Sequence, residues 1–182
     1  INIGAEVDYI EGFEEEIKNN LNKYGEYLED SILSVHMIKI EDKYYCMDFS
    51  CEEFEKIVNL LGSVESVYNL YYETLIKAIN SDLGKYKPKR IGHLNLVRKY
   101  NKKFPYDYSD NKKLKEVVKL ISDRGYELDY NVAGLFKEDC GETYISGYLA
   151  ELIKQYNIKL VLGSDSHSAK YIDKYEKLNE HI

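Results

Sequence analysis

Apolar positions along the chain fall into two alternating patterns. Short apolar or β-branched runs at Ile3–Tyr9, Ile32–Val35, Arg90–Leu94, Tyr126–Val132 and Ile158–Gly163 predict strands. Longer stretches with helical spacing lie between them. One passes through Phe13, Ile17, Leu21 and Tyr24, and a second through Phe54, Ile57, Val58 and Leu61. A third holds Val67, Leu70, Tyr71, Leu75 and Ile79. Later ones hold Leu114, Val117, Val118 and Ile121, then Ile145, Leu149, Leu152 and Ile153. Each carries polar residues on its other face, as an amphipathic helix does. Ser50 with Glu53 three residues on forms a capping box. Ser109 or Asp110 is placed to cap the helix that follows, and Gly62 and Gly125 stand where helix ends need a left-handed residue. Pro88 and Pro105 fall in loops.

Strands alternating with helices imply parallel strands joined by crossover helices. Leu160-Val161-Leu162 is apolar at consecutive positions, the pattern of a strand buried on both faces. The fold class is α/β, and five such units make either an open doubly wound sheet or most of a (β/α) barrel. With 182 residues, no linker and no repeat, residues 1–182 are expected to form a single domain, or part of one.

Composition narrows the partners. Lys and Arg total 25 against 32 Asp and Glu, a net charge of −7, which disfavours nucleic acid and anionic membranes. No apolar run approaches the roughly 18 residues that span a bilayer. The first residues, Ile1 to Glu6, show no secretion signal, and the chain opens without Met inside a strand, so upstream sequence is expected. Cys46, Cys51 and Cys140 are an odd number of thiols without Cys-x-x-Cys spacing, read as small half-buried hydrophobes in a reducing, cytoplasmic setting. The 19 Tyr and absent Trp read as nucleotide-composition bias.

Three of the four His occupy one kind of place. His36 and His93 end predicted strands, and His167 follows the last strand in Gly163-Ser164-Asp165-Ser166-His167. Glu6 lies in the first strand. In parallel α/β folds the carboxyl ends of strands share one face, where ligands bind. Glu6, His36, His93, Asp165 and His167 are therefore expected to converge. Imidazole with carboxylate suits a divalent transition metal such as zinc, manganese or iron, whereas any one of these His alone reads as an ordinary hydrogen-bonding residue. His181 belongs to the tail and is expected to take no part.

At these residues the chain resembles the PHP superfamily, and within it the barrel-type histidinol-phosphatases. The segments that carry the resemblance are Gly4–Ile10, Ser34-Val35-His36, Ile91–Tyr100, Asn131–Leu135 and Gly163–His167, in order along the chain. The resemblance implies a distorted (β/α)7 TIM-like barrel, here lacking its first strands. It implies phosphate monoester hydrolysis with up to three metal ions at the barrel mouth, acting on a small phosphorylated metabolite, L-histidinol phosphate. Glu6 would bridge two metals, His36 and His93 would complete the second, Asp165 would bind the first and handle a proton, and His167 would bind the third. Asp8 would orient a ligand, and Arg98 and Lys137 would contact substrate phosphate. The family's His-x-His motif and a later Asp-His element precede the strand that opens this chain, so one metal shell is expected to be complete and activity impaired. Phe136 stands where related enzymes have Arg, and Asn95 where Asp is usual. Other readings of the same residues are a non-catalytic metal- or ligand-binding protein and a PHP nuclease or polymerase-associated module, the latter disfavoured by the acidic charge.

Overall fold

The structure is a computed structural model in which residues 1–169 are described. His181 lies outside the described residues. Among these described residues there are seven strands: β1 Gly4–Asp8, β2 Asp30–Ser34, β3 Met37–Ile40, β4 Lys43–Cys46, β5 Arg90–Ile91, β6 Glu127–Asn131 and β7 Leu160–Gly163. Five α-helices accompany them: α1 Glu14–Tyr24, α2 Cys51–Leu61, α3 Val64–Asn80, α4 Lys112–Asp123 and α5 Gly147–Gln155.

The main sheet is parallel, with order β1-β2-β5-β6-β7. Each strand therefore lies beside its predecessor in the chain, apart from the β3–β4 hairpin. A doubly wound sheet reverses direction at a switch point, and this one does not. The walk is that of an arc, with β1 and β7 as its edges among the described residues.

Local sequence explains the elements. The Ser50 hydroxyl accepts from the Glu53 N–H at 3.1 Å and starts α2, and Gly62, at φ 82°, ends it. Ser63 caps α3 in the same way, accepting from Ser66 N–H at 3.1 Å. Leu114, Val117, Val118 and Ile121 of α4 are all fully buried, as their spacing predicts. The cap of α4 is neither Ser109 nor Asp110. It is Asn111, whose Oδ1 accepts from Leu114 N–H at 2.9 Å while its amide donates to Asn69 Oδ1 at 2.9 Å. Asn111 is buried and bonded on both sides, which fixes it as the start.

Other expectations shift. The β3–β4 hairpin pairs Met37 with Cys46 and Ile40 with Lys43 around Glu41-Asp42, a turn without the usual Asn-Gly or Asp-Gly signal. Glu41 nonetheless adopts φ 54°. β5 stops at Ile91, because the chain turns at Gly92 into a 3-10 helix, Leu96–Tyr100. A Cβ at Gly92 would lie 2.2 Å from Ser34 Oγ, so only glycine lets the strands approach there. Leu160 and Leu162, expected to be buried, are 39% and 53% exposed. They lie on an edge strand whose outer face nothing among the described residues covers. The tyrosines are more than compositional drift, since Tyr68, Tyr71, Tyr72 and Tyr144 are fully buried in the core.

Because Asn111 holds the first turn of α4, Asn111→Ala is expected to lower unfolding stability by about 1–2 kcal/mol. Ser109→Ala and Asp110→Ala should each stay within about 0.5 kcal/mol of the parent. Urea denaturation measures all three, and equal losses would remove Asn111 from this role.

Candidate metal centre

Three neighbouring strands supply the site. Glu6 is the middle residue of β1, His36 lies two residues past the end of β2, and His93 two residues past the end of β5. Because β1 pairs with β2 and β2 with β5 in parallel, all three residues reach the same end of the sheet. Glu6 Oε1 faces His93 Nε2 at 3.0 Å and His36 Nε2 at 3.6 Å. The two imidazole rings meet edge to face, with centroids 4.8 Å apart. The side chain of His93 is only 2% exposed, against 24% for His36 and 32% for Glu6, so the cluster opens to solvent on one side.

Asp8 sets the orientation of His36. Its Oδ1 accepts from the His36 backbone N–H at 3.2 Å and lies 3.2 Å from Nδ1. In the neutral ring, a proton on Nδ1 bonded to Asp8 leaves Nε2, on the side of Glu6, free to hold a metal. The hydrogen bond from His93 outweighs burial and, with Ser34 and the nearby imidazoles, holds the Glu6 carboxyl down at about 2. Burial works against a charged His36, but the hydrogen bond its ring donates to Asp8 and the charges of Asp8, Asp48 and Glu6 together raise its pKa.

The donor set fits a divalent transition metal. One carboxylate oxygen and two imidazole nitrogens lie within 4.8 Å of one another, the one such group among the described residues. The separations of 3.0 and 3.6 Å bracket the edge of about 3.4 Å expected of a tetrahedron with bonds of about 2.1 Å. His93 Nδ1 is buried without a protein partner, so Glu6 is the group that anchors that ring.

The other expected residues lie apart from the three. Asp165, at φ 52°, follows β7 and is half-buried. Its charge is felt by Asp129 and by Tyr144, whose ring packs 6.1 Å from that of His93. His167 is outside the cluster, with a side chain 85% exposed, and its Nδ1 donates to the Asp165 carbonyl at 3.0 Å. The Arg98 Nε donates to Glu142 Oε1, and the guanidinium lies 4.3 Å from the Tyr108 ring centre. Lys137 is exposed, just past a 3-10 helix, Ala133–Phe136. Asn95 is fully buried, its Oδ1 accepting from Tyr72 OH at 2.6 Å, which gives a neutral amide a place in the core.

Sequence reasoning passed over Asp48, which follows β4. Lys99 Nζ lies 3.0 Å from its Oδ2, and the Tyr100 hydroxyl donates to its carbonyl at 3.0 Å. These bonds tie the hairpin exit to the loop that carries Arg98. The signal lay in the unrecognised hairpin. Asp129 was missed for a different reason. It sits mid-strand in β6, buried, with Asn131 Nδ2 at 2.9 Å, and burial raises its carboxyl pKa.

No family model matches the chain. Among curated proteins, the histidinol-phosphatase of Bacillus subtilis (strain 168) is 44% identical over 173 residues, covering 93% of this chain and 64% of the relative. The chain thus spans less than two thirds of the length of that relative. Among solved structures, the crystal structure of a candidate histidinol phosphatase from Listeria monocytogenes superposes with a TM-score of 0.91 at 38% identity, covering 97% of this chain and 68% of that one. Identity at this level, over nearly all of the chain and on the same fold, places it: the chain belongs to the histidinol-phosphatase family.

Proposed function

We propose that the chain carries part of a metal-dependent phosphate monoester hydrolase of the PHP type, with L-histidinol phosphate as substrate and L-histidinol and phosphate as products. The observation that carries this reading is the convergence of Glu6, His36 and His93 from three strands onto one point. The curated relative supports the substrate by its name. The strand order, an arc without a switch point, supports a distorted (β/α)7 barrel of which this sheet is a portion.

Phosphate monoesters are among the slowest of biological molecules to hydrolyse unaided. A divalent ion bound here would bring a bound water towards a pKa of about 7 and neutralise phosphoryl oxygens. The chain's own residues have separate tasks. Glu6, His36 and His93 would hold the ion, with Asp8 fixing the ring of His36. Asp165, on the same end of the sheet, would bind a further ion and deliver the proton that the departing alcohol oxygen takes. His167 would serve a third ion, and Arg98 and Lys137 would meet phosphate oxygens. With one three-donor cluster among the described residues, turnover by the 182-residue chain is expected to be slow. Three cysteines without a disulfide support a reducing, cytoplasmic setting. No helix among the described residues is long and apolar enough to cross a membrane.

Two outcomes are expected. Zinc or manganese titrated into the purified chain should bind, with His36→Ala and His93→Ala each weakening affinity at least tenfold. Asp8→Asn should weaken it by about 10- to 100-fold, as removal of a ligand's hydrogen-bond partner does. His167→Ala should leave this site within about twofold of the parent, and a loss matching that of His36→Ala would overturn the ligand assignment. In the second test, phosphate release is followed on a panel of phosphate monoesters that includes histidinol phosphate. Any turnover should stop on chelation and return with added metal. Turnover indifferent to chelator would refute the metal reading.

A further inference from the structure

A cleft of 540 Å3 is lined by Arg98, Lys102, Asp107 and Glu142, among others. Lys102 and Asp107 are committed elsewhere. Lys102 Nζ donates to the Glu138 carbonyl at 2.6 Å, and Asp107 Oδ1 accepts from Ser109 N–H at 3.0 Å. Arg98 is instead built into the wall. Its Nε donates to Glu142 Oε1, and its guanidinium lies 4.3 Å from the centre of the Tyr108 ring. That ring is itself fixed, since its hydroxyl donates to the Ser146 carbonyl at 2.8 Å.

Glu142 is fixed from below. Gly141 N–H donates to the carbonyls of Gly134 and Lys137 at 3.0 and 3.1 Å. A Cβ at Gly134 would lie 2.3 Å from the Glu142 carbonyl oxygen, so the two loop segments touch backbone to backbone. The result is a guanidinium held at Nε by Glu142, against the Tyr108 ring and beside the Tyr68 hydroxyl. Its Nη1 is buried, and the buried Tyr68 hydroxyl interacts with the same guanidinium. A guanidinium held in this way presents a planar fork, which matches the oxygens of a phosphoryl group.

We propose that Glu142 is a positioning residue: by taking Nε of Arg98, it turns the terminal nitrogens of that guanidinium towards the phosphoryl group of a substrate in this cleft. The inference rests on the phosphate-ester reading above and adds to it the carboxylate that makes Arg98 a fixed fork. The opposing arrangement has Glu142 as a stand-in for the anion, which phosphate must displace.

Inorganic phosphate distinguishes them. It is titrated into the 182-residue chain with a chelator present, so that binding reports on the cleft, and followed by phosphorus NMR. Arg98→Lys and Glu142→Gln should each weaken binding about tenfold, the scale of one charge-assisted contact. In the Arg98→Lys background, Glu142→Gln should have no further effect, because it acts through the guanidinium. Glu142→Asp keeps the charge and should recover part of the loss, and it serves if Glu142→Gln melts at a lower temperature than the parent. Equal or tighter phosphate binding by Glu142→Gln would overturn the proposal, as would independent losses in the double variant or no phosphate binding by the parent. The function reading is judged separately. A chain that hydrolyses phosphate esters but shows no Glu142 dependence sinks this inference alone, whereas Glu142-dependent phosphate binding with turnover indifferent to chelator sinks the other.

Discussion

One carboxylate oxygen joins the two halves of the site. Glu6 Oε1 stands between the Nε2 atoms of His36 and His93, the latter 87 residues away along the chain. Everything that brings them together is a property of parallel pairing. β1, β2 and β5 run side by side in the same direction, so residues at or beyond their ends meet on one rim. An antiparallel neighbour would have sent one of the three to the opposite edge. Without an added cation the arrangement concentrates a carboxylate, two imidazoles and a supporting aspartate in a half-buried space.

Much of this was legible in the sequence because it follows from periodicity. The five main strands and five helices come from apolar spacing, and the convergence of His36 and His93, just past strand ends, with Glu6 on the neighbouring strand follows from parallel pairing. What escaped has physical reasons. The β3–β4 hairpin is bounded by a Glu-Asp turn, in which Glu41 takes a left-handed conformation without the glycine that would announce it. Asn111 outranks Ser109 and Asp110 as a cap because a buried partner, Asn69, holds its amide, and a single sequence does not show a contact 42 residues distant. Leu160 and Leu162 look like core by composition, but an edge strand has only one neighbour to bury them.

The loops that leave the strand ends are knitted to one another more than to the sheet. Lys99 and Tyr100 hold Asp48 at the exit of the hairpin, and one residue earlier Arg98 holds Glu142 in the loop after β6. The short 3-10 helix Leu96–Tyr100 thus braces two segments, the exit of the hairpin and the loop after β6. A rim braced in this way can keep polar groups in place for a bound ligand without relying on long, mobile side chains, whose immobilisation would cost entropy on each binding event.

The backbone of Asp165 carries a practical consequence. At φ 52° it occupies a region that asparagine and glycine tolerate and most other residues resist. Replacement by alanine would therefore change two things at once, removing the carboxylate and straining the turn after β7. Asparagine keeps the turn and the shape while removing only the charge, so it isolates the electrostatic role of this side chain from the folding of the segment that presents it.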